Sequence, residues 1–81
     1  MLERPKGALE RYREEMKYHT AIAELLRREG PKNIPEIAEA LGIHPAEAML
    51  YVMGMWRYGK VEALPKGRRE RYFQYGLREE G

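Results

Sequence analysis

The chain has no cysteine, no serine and no aspartate, and only one asparagine (Asn33), one glutamine (Gln74) and one threonine (Thr20). Without cysteine, disulfides and thiolate chemistry are excluded. The only imidazoles, His19 and His44, form no recognisable metal set in the absence of Cys and Asp, so no metal is assigned. His44 stands where a helix N-cap is expected, and His19 reads as a surface or half-buried helix residue. A glycine-rich phosphate loop is also missing: Gly54, Gly59 and Gly67 are spaced as a helix-packing residue, a helix stop and a turn. The glutamate pairs Glu14-Glu15 and Glu79-Glu80 lie in strongly polar stretches and read as solvated surface. An 81-residue chain has little material for a catalytic cleft. No enzyme activity and no cofactor are expected.

Long apolar runs are lacking too. The longest nearly apolar stretch, Ala48 to Trp56, falls well short of a bilayer span, and Met1 to Gly7 has no signal-peptide core. The expectation is a cytoplasmic protein. Charged residues make up 35% of the chain, yet the net charge is only +2, so any basic patch must be local. Scarce thermolabile residues beside abundant Glu, Arg and Lys fit a thermophilic protein; drift in a GC-rich genome fits equally well.

What is present is a chain of short, well-punctuated elements. Ala8 to Glu29 holds good helix formers without internal Gly or Pro, and Gly30-Pro31 stops it. Tyr18, Ile22, Leu25 and Leu26 follow i, i+4, i+7, i+8 spacing and predict the core face. Leu9, Tyr12 and Met16 form a second stripe upstream. Residues 8–17 either fold back over the core, the default reading, or project as a docking or dimerisation helix.

Ile34 to Leu41 predicts a short amphipathic helix, Gly42 a stop, and Pro45 the start of a second helix running to Arg57. Together they make a helix-turn-helix. At 100° per residue, Ala48, Tyr51, Val52 and Met55 face the core. Ala46, Met49, Leu50, Met53 and Arg57 face the other way, with Glu47 and Gly54 on one flank. Trp56, on the other flank, is expected at the core edge beneath the hairpin that follows. Lys60 to Leu64 reads as a strand, Pro65-Lys66-Gly67 as a turn, and Arg68 to Leu77 as the returning strand. In that strand Phe73, Tyr75 and Leu77 would share one face and Tyr72 and Gln74 the other. Residues 32–34 can supply a third, edge strand.

With these elements in place, residues 18–77 resemble the winged-helix superfamily, in its small bacterial and archaeal single-domain form. The likeness rests on Ile22-Ala23-Glu24-Leu25-Leu26, on Ile34 through Ile43, and on Tyr58-Gly59-Lys60-Val61-Glu62, which looks like the junction between a recognition helix and its first wing strand. The resemblance implies an α+β winged helix-turn-helix: a three-helix core plus a two- or three-stranded antiparallel wing hairpin. Residues 1–17 would then be an N-terminal helical extension and 78–81 a polar tail.

Winged helices serve as DNA readers and as protein-docking modules, and the fold does not choose between them. Base edges are read mainly by Arg, Lys, Asn, Gln, Ser and Thr, and the second helix offers only Arg57. Burying Met49, Leu50 and Met53 would contribute on the order of 1.5 to 3 kcal/mol each before association costs. The leading expectation is therefore a small accessory subunit that docks on a larger protein through Ala46, Met49, Leu50, Met53 and Arg57. The alternative is a DNA-binding transcriptional regulator, with the helix in the groove, Lys66, Arg68, Arg69 and Arg71 of the wing on phosphates, and a homodimer through the N-terminal helices. Phosphate contacts of that kind alone give dissociation constants of about 10⁻⁴ to 10⁻⁶ M. Tyr72 and Gln74 could add a stacking platform or instead pair across the strand with Glu62 and Leu64.

Overall fold

Capping residues and glycine stops set the end of the first helix and both ends of the second. The computed structural model describes residues 6–78, with side chains described from Glu10 onward. Met1 to Pro5, the side chain of Leu9 and the end of the polar tail, with Glu79-Glu80, lie outside the described residues. Helix α1 spans Lys6–Glu29 and carries Arg27 and Arg28 in its last turn, where cations complement the helix dipole. Gly30 ends it at φ 85°, its N–H donating to the Leu26 carbonyl at 2.9 Å.

The pair α2, Ile34–Leu41, and α3, Pro45–Arg57, is fixed by three local devices. Asn33 and Glu36 form a reciprocal capping box: the Glu36 N–H donates to Asn33 Oδ1 at 2.9 Å, and the Asn33 N–H donates to Glu36 Oε1 at 3.0 Å. Gly42 closes α2 in the left-handed region at φ 67°, a conformation that favours glycine. His44 caps α3 as expected, with the Ala46 N–H donating to its Nδ1 at 3.0 Å, and Pro45 occupies the first turn.

Strands β1, Lys32–Asn33, β2, Val61–Leu64, and β3, Gln74–Leu77, form an antiparallel sheet in the order β1-β3-β2. The third, edge strand is present, although Ile34 belongs to α2. Val61 opposes Leu77 and Leu64 opposes Gln74, so the hairpin closes earlier than the alternation of residues 68–77 suggested. Arg68 to Phe73 are loop, because Arg68-Arg69-Glu70-Arg71 offer no apolar residue to either face. Phe73 is consequently exposed rather than sharing the inner face with Tyr75. Gln74 does pair with Leu64, but Glu62 opposes Gly76 and Tyr72 has no strand partner.

The core gathers Ile22, Leu25 and Leu26 from α1, Ile34, Ile37 and Ala38 from α2, Ala48, Val52 and Met55 from α3, and Val61 and Tyr75 from the sheet. Trp56 is outside it at 53% exposure; Val61 and Tyr75 are the buried side chains that the sheet supplies. Helix α1 runs through residue 17 without a break, and Glu10 to Glu14 are exposed. The helix does not fold back at that point. At about 1.5 Å per residue, residues 6–17 extend the helix by roughly 18 Å.

His19 departs furthest from its expected setting, since it is 2% exposed. Gly54 makes this possible: a Cβ there would stand 3.2 Å from both His19 Nε2 and Glu15 Oε1. Neither ring nitrogen has a hydrogen-bond partner among the described residues, and Glu15 Oε1 stands 3.5 Å from Nε2, at the limit of contact. Burial pushes the imidazole below its ordinary value of 6.5; Glu15 pulls it back up and Lys60 pushes it down. The unfolded chain therefore binds a proton at a higher pH than the folded one. Stability is complete above pH 6.5 and declines as pH falls towards the lowered folded value, with a limiting slope of about 1.4 kcal/mol per pH unit. Urea midpoints measured from about pH 8 to pH 5 should fall below pH 6.5 in the wild type and stay flatter in His19→Leu. Parallel profiles for the two proteins would rule this role out.

Candidate functional site

The outward face of α3 carries Ala46, Met49, Leu50 and Arg57, all exposed, with Met49 at 46% and Leu50 at 66%. Met53 differs from its neighbours in being half-buried and packed against the core. Tyr51 turns towards α1 and stacks on Tyr18, with ring centroids 4.7 Å apart and planes 13° from parallel. Burial and the neighbouring glutamates, Glu14 first among them, push its phenol up from 10.0.

Beside this face lies the loop from Pro65 to Phe73. Its tip is a turn in which the Glu70 N–H donates to the Gly67 carbonyl at 3.2 Å and the Gly67 N–H donates to Glu70 Oε2 at 3.4 Å. The loop's one carboxylate is thus turned onto its own backbone. Lys66, Arg68, Arg69 and Arg71 are all exposed, and none takes part in the ion pairs among the described residues, which join Glu29 to Arg28 and Lys32. Lys66 Nζ sits 5.8 Å from the centroid of the Phe73 ring.

Between helix and loop runs a groove of about 630 Å³, walled by Pro45, Ala46 and Met49 on one side and by Arg71, Tyr72 and Phe73 on the other. The sequence reading missed it, because it placed Phe73 inside and Tyr72 on a strand. The signal was the unbroken charged run Arg68 to Arg71, which leaves no strand before Tyr72. A second hollow, of about 780 Å³, is rimmed by Arg27, Tyr58, Lys60 and Arg78 and shares no residue with the first. Among the described residues no three His or Glu side chains gather as a metal site, and no helix is long and apolar enough to cross a membrane.

No protein-family profile matches the chain, and no curated protein matches it. Solved structures do. The Zalpha domain of Carassius auratus PKZ in complex with Z-DNA superposes with a TM-score of 0.70 at 19% identity, covering 79% of this chain and 97% of that one. The apo Zalpha domain of zebrafish PKZ gives a TM-score of 0.72 at 18% identity over 80% and 97% of the two chains. Wild-type MarR from E. coli, in its apo form, gives 0.58 at 17% identity over 95% and 68%. The fold is a winged helix. Within it α3 is the second helix of the helix-turn-helix, and the Pro65–Phe73 loop, which joins the two hairpin strands, is the wing loop. At these identities the likeness settles the architecture, while the chemistry of the winged helix is that of its own side chains.

The Glu70 turn is what gives the wing tip a defined shape. Glu70→Ala should speed amide exchange at Gly67 severalfold while changing global stability by no more than about 0.5 kcal/mol, since the residue is exposed. Unchanged exchange at Gly67 would show that the carboxylate does not hold the turn.

Proposed function

We propose that this winged helix binds double-stranded DNA, with α3 set against a groove and the wing on the phosphates. One observation carries the reading: four cations without carboxylate partners among the described residues lie on a loop that lines the same groove as the exposed start of α3. A phosphate backbone is the partner that such a cation series matches. The similarity to a Zalpha domain in complex with Z-DNA supports the same reading. Residues 18–77 would form the binding domain, and residues 1–17 would pair two copies and so set the spacing of two half-sites. Binding in this reading involves no catalysis.

Docking on a larger protein through Ala46, Met49, Leu50, Met53 and Arg57 is the second reading, and it rests on the 66% exposure of Leu50. Fewer observations support it than support DNA. Its probe is Leu50 rather than Met53, because a charge at Met53 would also disturb the core.

Titration against labelled random duplex separates the two. Four engaged cations give a log–log salt slope of about −3.6, which is roughly a 150-fold loss of affinity between about 50 and 200 mM salt. Replacing Arg68 and Arg69 together by Ala should weaken binding at low salt and lower the magnitude of the slope by about 2. Absent or salt-insensitive binding in the wild type would overturn the DNA reading. Docking would then be tested by whether Leu50→Glu abolishes partner capture while the protein stays folded.

A further inference from the structure

The groove between α3 and the wing is built for something other than a phosphate run. In the reading above the cations along the loop meet the phosphate backbone; the groove itself is apolar, and among the described residues Arg71 at its edge is the one charged residue lining it. Tyr72 and Phe73 stand half-exposed along one wall and Met49 along the other, at 52%, 51% and 46% exposure. Tyr75, 8% exposed, also lines the groove. Its hydroxyl has no hydrogen-bond partner among the described residues and is not sealed from solvent, which leaves it available to a polar group bound here. At about 630 Å³ the groove falls in the size range of sites for small planar ligands.

The occupant must therefore combine a flat apolar body, a polar edge within reach of a phenol, and a negative charge next to that body at Arg71. Further negative charges should follow along Arg69, Arg68 and Lys66. A nucleotide within a strand has this pattern: base in the groove, its phosphate on Arg71, the next phosphates along the wing. A base inside an intact duplex is stacked on both faces and cannot enter. We propose that the groove captures an unstacked nucleobase, so that the protein prefers DNA carrying an unpaired base to fully paired duplex. This rests on the reading of the wing as a phosphate contact.

The test compares a duplex with the same duplex bearing one extra, unpaired 2-aminopurine. With the whole chain, the bulged DNA should bind at least about fivefold tighter, the lower bound for one base stacking on an aromatic side chain. The 2-aminopurine fluorescence should be quenched on binding. Phe73→Ala and, independently, Tyr72→Ala should bring the affinity ratio of bulged to paired DNA towards one; two variants guard against one that fails to fold. Equal affinity for the two DNAs, with the salt slope intact, would overturn base capture and leave duplex binding standing. Failure of both DNAs to bind would overturn both proposals. Tighter binding of a short acidic peptide with one tryptophan, displacing the bulged DNA, would assign the groove to protein docking instead.

Discussion

Helix α3 is held to the body of the protein by a fully buried stripe, Ala48, Val52 and Met55, flanked by the half-buried Tyr51 and Met53, and the rest of the structure depends on what that packing leaves outside. The three side chains are fully buried among those of α1 and α2. Gly54 extends the close approach towards α1, where a Cβ would crowd the His19 ring at 3.2 Å. Ala46, Met49, Leu50 and Arg57 remain outside that packing. The turn through Gly42 and the His44 cap then fix the direction in which that outer face points.

The second constraint is electrostatic. The chain is nearly neutral overall, yet its charges are sorted by position. Glu29 pairs with Arg28 and Lys32, Glu36 is held in the α2 cap and Glu15 lies against His19, whereas Glu70 bonds the wing's own backbone. Surface pairs of this kind stabilise little, about 0 to 1 kcal/mol each. Their larger effect is on the field: no carboxylate among the described residues is paired with the wing cations.

Much of this was legible in the sequence, and the reasons differ by element. Gly30, Gly42, Gly59 and Pro45 mark the helix ends because backbone geometry is local, and the core stripe on α1 follows from helical spacing alone; the Asn33 cap of α2 was not foreseen, since residues 32–34 were read only as a strand. The hairpin closed differently from its apparent alternation, because Tyr72 and Phe73 look like strand residues until the four charges before them are weighed. His19 escaped because its burial depends on a glycine thirty-five positions away. The groove escaped for the same reason, since Met49 and Phe73 meet only through the fold. Local chemistry was readable, and non-local proximity was not.

One consequence concerns what such a surface can discriminate. Direct readout of base edges needs paired hydrogen-bonding groups in the major groove, and α3 carries only Glu47 and Arg57 among its polar side chains apart from the inward-turned Tyr51. A helix so equipped would contact thymine methyls and sugar edges but would distinguish few base pairs. Selectivity, if DNA is the partner, must then come from properties of the duplex that an apolar helix and a cationic loop can sense: groove width, ease of deformation and loss of stacking. A duplex already opened at one step costs less to distort, and the aromatic groove beside α3 offers that opened base a surface in exchange for the neighbour it has lost. The apolar character of α3, which counts against sequence reading, is thus compatible with recognising structure.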